Sequence, residues 1–283
     1  MIGVLLKNNM VGMFSADHVI FSECVEGLKK VPDGVVDCTI FSPPYDKIRD
    51  YKGFSIDFSQ LGKEIYRVFK DGAVCCVVIN DGTKDFCKSL TTFRLAVDWV
   101  DNAEWKLFET LIYSRFGRPG AWWNKRFRVD HEYILVFFKG KKPKYFNKKH
   151  LFVPAKHAGE TWHGTTRLTD GTLAKNEKKV QAATKCRGTI WHYKTSNTEG
   201  NRIKLKHPAT YPDKLASDLI KCFSKEGDLI LDPTVGSGTT VVMASQLKRH
   251  YLGFDISEDY VNLANERLAT ETCVNQPDMF AEH

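Results

Sequence analysis

The chain is poor in the marks of several large functional classes. Its eight cysteines (Cys24, Cys38, Cys75, Cys76, Cys87, Cys186, Cys222 and Cys273) include no CxxC pair, the spacing that nucleates zinc sites. They read as small buried hydrophobes in a reducing compartment. No apolar run approaches the roughly 20 residues that span a bilayer. The opening MIGVLLKNNMVGMF also lacks a basic start, an h-region and an A-x-A-like site. A cytoplasmic protein with no metal and no membrane partner is therefore expected. Internal repeats and low-complexity tracts are absent, as are a complete GxGxxG and the GxxxxGK[ST] of a phosphate-cradling loop.

What is present points to an α/β protein. With 283 residues, 42% of them hydrophobic, the chain is long enough for one large α/β domain carrying an insertion, or for two modest domains. The net charge of +7 and a pI near 8.9 suit a polyanionic partner without requiring one. Three short runs, VVDCTIF (35–41), GAVCCVVIN (72–80) and HEYILVFFKG (131–140), are rich in β-branched and aromatic residues and bounded by turn formers. That is the pattern of buried strands. Between the first two, FSQLGKEIYRVFK places Leu61, Ile65, Val68 and Phe69 at helical spacing. Strand, helix, strand predicts a parallel βαβ unit.

From Lys141 to Lys206 apolar runs give way to basic residues, and the acids are reduced to Glu160, Asp170, Glu177 and Glu199. Scattered aromatics (Tyr145, Phe146, Phe152, Trp162, Trp191, Tyr193) and glycine turns predict a folded but irregular insert. After Pro208 the α/β pattern returns. YPDKLASDLIKCFS carries an apolar face through Leu215, Leu219, Ile220 and Phe223, with Asp213 near its start where a helix dipole favours an acid. DLILDPTVGSGTT then reads as strand, glycine turn and helix start, and YLGFDIS as a strand ending at Asp255.

Gly236 and Gly238 permit a sharp turn and close approach of a ligand, with Thr239 and Thr240 opening the next helix. Asp255 ends the following strand, where a carboxylate is placed to accept hydrogen bonds from ribose hydroxyls. A capping carboxylate is the alternative reading. With no phosphate-binding fingerprint beside it, the turn fits a cofactor that has a ribose and no phosphates better than a dinucleotide.

SPPY (42–45), a basic insert, HPATYP (207–212) and DPTVGSGTT (232–240), in that order, resemble the amino-group DNA methyltransferases of the β arrangement. In these the catalytic motif precedes the target-recognition region and the S-adenosylmethionine motif comes last. The resemblance runs from about Val19 to Leu268, except across the insert. It implies an S-adenosylmethionine-dependent transferase acting on double-stranded DNA. It also implies a doubly wound, Rossmann-like α/β sheet in circularly permuted motif order, with a catalytic half in 1–140, a target-recognition insert in 141–206 and a cofactor-binding half in 207–283.

Carried over by position, the resemblance assigns Ser42, Pro43, Pro44 and Tyr45 to the catalytic loop. Asp232, Pro233, Thr234, Gly236, Ser237, Gly238, Thr239 and Thr240 form the cofactor turn, with Asp255 on the ribose. His207, Pro208, Thr210 and Pro212 fall near the methionine end of the cofactor. Thr234 stands where the family usually has a phenylalanine, and FSECVEGL offers Ser22 and Glu23 where the family often has Gly-Asp, which makes Glu23 a further candidate. A homodimer is also implied, whereas a restriction endonuclease partner is neither implied nor excluded.

The chemistry explains the residue types. An exocyclic amine is a poor nucleophile because its lone pair is delocalised into the ring. Acceptors at Ser42 Oγ and the Pro43 carbonyl favour a pyramidal nitrogen, Pro44 stiffens the loop and contributes no competing N–H, and Tyr45 stacks on a base turned out of the duplex. Serine in the first position is typical of cytosine-N4 enzymes in this family, and Asp or Asn of adenine-N6 enzymes. Cytosine N4 is the expected target, with adenine N6 the alternative, since a hydroxyl accepts from either amine. Methylation at cytosine carbon 5 uses a cysteine after proline, and zinc deamination uses H-x-E with P-C-x-x-C; neither occurs.

Candidate DNA contacts lie in three places. RFGRPGAWWNKRFRVDHEY (115–133) offers Arg118, Trp122, Trp123 and Arg126 to phosphates and an extruded nucleotide, with core packing an equal reading for the tryptophans. DKIRDYKGF offers Arg49, Tyr51 and Lys52, and the insert offers Arg167, Lys185 and Arg187. An RNA methyltransferase and a non-catalytic DNA-binding scaffold compete with this reading. The scaffold predicts damage to SPPY or to the glycine turn, and both are intact.

Overall fold

Short β-branched and aromatic runs assemble one eight-stranded sheet. In chain order its strands are β1 His18–Phe21, β2 Val36–Phe41, β3 Phe69–Ile79, β4 Lys106–Arg115, β5 His131–Phe138, β6 Ile190–Tyr193, β7 Leu229–Asp232 and β8 His250–Asp255. The structure is a computed structural model that describes residues 9–45, 56–115, 125–127, 129–194, 203–207 and 209–272. Across the sheet the order is β6-β4-β5-β3-β2-β7-β8-β1. Every adjacent pair is parallel except the two that include β5, so β5 alone runs against the rest. Among the described residues no helix is long and apolar enough to cross a membrane.

Among the described residues six α-helices cover the sheet: α1 Cys24–Leu28, α2 Phe58–Val68, α3 Thr91–Asn102, α4 Asp213–Phe223, α5 Thr239–Gln246 and α6 Glu258–Glu271. On one face α1, α2 and α3 share a core with alternate strand residues such as Cys75, Val77, Ile79, Leu229, Leu231 and Phe254. The opposite face takes α4, α5 and α6, which pack on one another. With both faces covered, Val74–Ile79 is buried along its whole length, as parallel strands between helical layers are.

α2 shows how the local sequence places an element. Asp57 caps its start by accepting from the Gln60 amide at 3.0 Å, and Leu61, Ile65 and Val68 form its buried face. Arg67 ties its far end to α1 by donating to the Leu28 and Val31 carbonyls at 2.7 and 2.9 Å.

Two connections fix where a ligand can enter. From β2 the chain crosses to β3 on one side, and from β7 it crosses to β8 on the other, so the neighbours β2 and β7 form a topological switch point. In open α/β sheets the crevice beyond the strand ends at such a point is the ligand-binding position. The βαβ unit expected from residues 35–80 is present as β2-α2-β3 with parallel pairing.

By contacts the chain divides into two compact units, Asn147–Gly188 and the segments on either side of it. The range 141–206 expected from composition is wider than this. Ile190–Tyr193 pairs with β4 in the main sheet, Trp191 and Tyr193 are buried, and Tyr193 Oη donates to Asp218 Oδ2 at 2.7 Å. Phe146 stacks on Phe223 at 5.5 Å. A four-residue strand is too short for its alternation to register in sequence. Taken by itself, the smaller unit is a series of antiparallel pairs: Phe152–Pro154 with Thr184–Cys186, Thr161–Trp162 with Lys179–Val180, and Thr165–Arg167 with Leu173–Lys175. It holds nine Lys and Arg against three Asp and Glu, six of the chain's net +7.

The contact between α2 and α3 predicts a stability effect. Trp99 is 0% exposed, donates from Nε1 to the Phe58 carbonyl at 2.8 Å and stacks on Trp105 at 5.6 Å. Trp99→Ala is expected to cost about 3–5 kcal/mol, read as a lower urea midpoint than that of the unsubstituted protein.

Candidate active site

The chain leaves β2 through Ser42, Pro43, Pro44 and Tyr45. Two proline rings fix φ and remove two amide donors, so the exit is stiff and extended. Pro43 is buried and the other three are half-buried. All four line a cleft of about 340 Å³ at the switch point, a volume within the usual range of small-molecule sites.

The next strand, β7, delivers the glycine turn to the same cleft. Gly236 (φ +51°) and Gly238 (φ +80°) lie in the left-handed region. A Cβ on Gly236 would sit 3.0 Å from His207 Nε2, and one on Gly238 would sit 3.1 Å from Ala264. The turn is therefore pressed against both His207 and α6. Asp255, at the end of β8, clamps it: Oδ2 accepts from the Gly236 amide and Oδ1 from the Ser257 amide, each at 2.8 Å. With the Ile256 amide also bonded, the carboxylate keeps an acceptor site to spare, and Asp255 lines the cleft. Burial pushes its carboxyl above the ordinary range, opposed by amide hydrogen bonds from Ser257, Gly236 and Ile256.

Pro233, Thr234 and Ser237 line the cleft beside Gly236. Thr234 Oγ1 is buried with no hydrogen-bond partner among the described residues, an orphan that a polar ligand atom would satisfy. Glu23 enters from the start of α1, capping it by accepting from the Glu26 amide at 2.9 Å. Burial raises its carboxyl, but the Cys24 thiol and the amides of Glu26, Val25 and Cys24 outweigh that and hold it low. A carboxylate, a clamped acid and an open hydroxyl thus share the cleft with His207 and Thr210. The His207 ring meets Tyr260 edge-on at 4.3 Å.

Other members of the expected cofactor turn stand behind it. Asp232, Gly238, Thr239 and Thr240 are absent from the cleft wall. Asp232 is 2% exposed and accepts from the Thr234 amide at 3.0 Å. Burial pushes its pKa up to about 7; the Thr234 amide and the Thr240 hydroxyl oppose this, and the Asp255 charge adds to it. Thr240 Oγ1 donates to the Ile40 carbonyl of β2 at 2.8 Å and bonds Tyr211 Oη. From Gly238 onward the residues brace the turn because the new helix carries them away from the strand end.

Among the expected DNA contacts, Arg126 donates to the Phe86 carbonyl and is not on the cleft wall. Arg167 and Lys185 are exposed and Arg187 is half-buried, all in the smaller unit. Arg49, Tyr51, Lys52, Arg118, Trp122, Trp123 and Pro208 lie outside the described residues. The opposite wall of the cleft holds groups that sequence reading missed: Asn80 and Asp81 just beyond β3, and an ion pair between Arg115 and Glu132 at 2.9 Å. The step from apolar to polar in VVIND marks a strand end and was a usable signal for the first two. Arg115 and Glu132 lie in the segment 115–133 that offered DNA contacts, but nothing in it singles them out.

A family model described as DNA methylase, of the N6/N4 type, matches residues 36–266. The chain belongs to that family. Among curated relatives, the orphan methyltransferase M.BamHII of Bacillus amyloliquefaciens is 34% identical over 248 residues, 85% of this chain and 91% of the relative. Among solved structures, the cytosine-N4-specific PvuII DNA methyltransferase matches with a TM-score of 0.66 at 18% identity, covering 88% of this chain and 85% of its own. M1.HpyAVI, solved as a complex with SAM, matches with a TM-score of 0.59 at 19% identity, over 89% and 98% of the two chains. The methylase therefore shares the mixed α/β fold of these enzymes.

Asp232 predicts a pH effect on stability. In the folded methylase it titrates at about 7, and in an unfolded chain near 3.9. Between those values the folded state holds a proton that the unfolded state has lost, so stability falls as pH rises through the window. Asp232→Asn keeps an acceptor for the Thr234 amide and removes the titration. In urea titrations of ligand-free protein the variant is expected to exceed the parent at about pH 8, by an amount on the order of a few kcal/mol, and to converge with it near pH 4.

Proposed function

We propose that this methylase transfers a methyl group from S-adenosylmethionine to the exocyclic N4 amine of a cytosine turned out of duplex DNA. The observation that carries this reading is the meeting of SPPY and the glycine turn, from adjacent strands, in one cleft at the switch point. The neutral Ser42 hydroxyl at the first motif position favours cytosine over adenine.

The wall on the β7 and β8 side fits the donor. Asp255 keeps an acceptor site for a ribose hydroxyl, Thr234 Oγ1 has no partner among the described residues, and Glu23 is held as a carboxylate, which suits a cationic amino-acid end. When bound, S-adenosylmethionine supplies an electrophilic methyl group.

The chain's own residues do the rest. Ser42 Oγ and the Pro43 carbonyl accept from the two amine hydrogens and turn the nitrogen lone pair toward the donor side. As the new N–C bond forms the methyl group's bond to sulfur breaks, and the nitrogen, now cationic, gives up one proton to water. Tyr45 stacks on the extruded base, which offsets an extrusion cost on the order of a few kcal/mol with roughly 1–3 kcal/mol of stacking. Alignment of the two reactants supplies up to about 7–11 kcal/mol of barrier reduction. The basic unit Asn147–Gly188 belongs to this reading as the region that grips and reads the duplex, through Arg167, Lys185 and Arg187.

The test is to incubate purified protein with tritiated S-adenosylmethionine and unmethylated genomic DNA, and to identify the labelled nucleoside. N4-methylcytosine is the expected product. N6-methyladenine would overturn the choice of base, and unlabelled DNA would overturn the substrate class. In the same assay Ser42→Ala is expected to lower kcat by about 100-fold, the scale of losing one positioned hydrogen-bond partner, with cofactor affinity unchanged. Tyr45→Ala is expected to raise the KM for DNA about tenfold.

A further inference from the structure

The Arg115–Glu132 pair stands at the two ends of the basic, aromatic segment 115–133 and shares the cleft with Ser42. Arg115 ends β4, and Glu132 lies opposite Tyr113 on β5. The guanidinium Nη1 and the carboxylate Oε1 are 2.9 Å apart, with the Glu132 side chain 15% exposed and that of Arg115 35%. We infer that Arg115, oriented by Glu132, reads the Watson–Crick edge of the target cytosine by donating to its N3 and O2. This inference rests on the proposed transfer to DNA and narrows it to a specificity determinant.

Three features carry the assignment. Ser42 and Arg115 sit on strands separated by three steps of about 4.8 Å, roughly 14 Å across the sheet. An extended arginine side chain spans about half of that, which brings its guanidinium close enough to Ser42 for one base edge to touch both. Cytosine presents its amine, N3 and O2 in a row. With the amine held at Ser42, the remaining two atoms are acceptors only, which a planar guanidinium fork matches. Adenine has N1 beside its amine and then a C–H, so one donor of the fork would face no acceptor. Glu132 also makes the pair neutral and repels phosphate, which separates this arginine from those that grip the DNA backbone.

The test uses two duplexes identical except for cytosine or adenine at the target position, built on the site mapped from DNA methylated by the unsubstituted enzyme. The readout is the ratio of kcat/KM for the two duplexes, with cofactor affinity and melting temperature measured alongside. Arg115→Met is expected to narrow the preference for cytosine at least about tenfold, the scale of losing a bidentate base contact. Arg115→Lys, which keeps the charge and loses the fork, should narrow it similarly, and Glu132→Gln should narrow it less. An equal fall on both duplexes would show that Arg115 holds phosphate or braces the cleft, and would overturn the inference. So would an unchanged ratio. If the unsubstituted enzyme labels neither duplex nor genomic DNA, the transfer reading falls first and takes this assignment with it.

Discussion

Two strands, β2 and β7, lie side by side although Asp37 and Leu229, bonded across them, are 192 positions apart, and every part of the site is measured from their carboxyl ends. The pair is stitched at both ends. At the amino end the buried Asp37 accepts from the Leu229 amide at 3.0 Å and from Lys70 at 2.6 Å. At the carboxyl end Thr240 reaches from α5 to the Ile40 carbonyl. One strand step of about 4.8 Å then sets the separation of the proline loop from the glycine turn. A stiff loop on one strand and a braced turn on the other give a cleft whose two walls do not have to be positioned by ligand.

The bracing extends behind the turn through buried charge. Arg267 is 0% exposed; it donates to the Ser237 carbonyl at 2.8 Å and pairs with Glu271 and Asp213. Lys204, also fully buried, donates to Asp213 at 2.7 Å. Burying so many ions is costly unless each is paired and hydrogen-bonded, and here each has partners on a different element. The network ties α6, the segment before α4 and the glycine turn into one block. Asp232, buried beneath that turn with a raised pKa, is the counterexample: its position costs stability, and in return its carboxylate holds the Thr234 amide of the turn.

Much of this was legible in the residues. Short β-branched runs gave β2, β3, β5, β7 and β8, and the period of Leu61, Ile65 and Val68 gave α2. SPPY and DPTVGSGTT each follow an apolar run, which puts both at strand ends without the structure; that the two strands are neighbours is a property of the sheet order. What stayed hidden has physical reasons. α3 buries Thr92, Leu95 and Trp99 but exposes Phe93, Val97 and Val100, so its apolar residues cover more than one face and blur the helical period. β6 is too short to alternate visibly. Arg115 and Glu132 meet only because β4 and β5 pair in antiparallel register, and a register is a property of two strands together. Asp232 and Thr240 match the family motif, yet the motif does not tell the residues that face a ligand from those that hold the turn.

The claim beneath all of this is that the proline loop and the glycine turn form one cleft for donor and target base together. A crystal structure of the protein with an unreactive donor analogue and a duplex carrying its methylation site tests that most directly. The expected result is a single base out of the helix, its amino nitrogen about 3 Å from Ser42 Oγ, and the analogue against Pro233–Ser237 and Asp255. An analogue bound elsewhere, or a duplex held with its target base still stacked and the Ser42 cleft vacant, would contradict it.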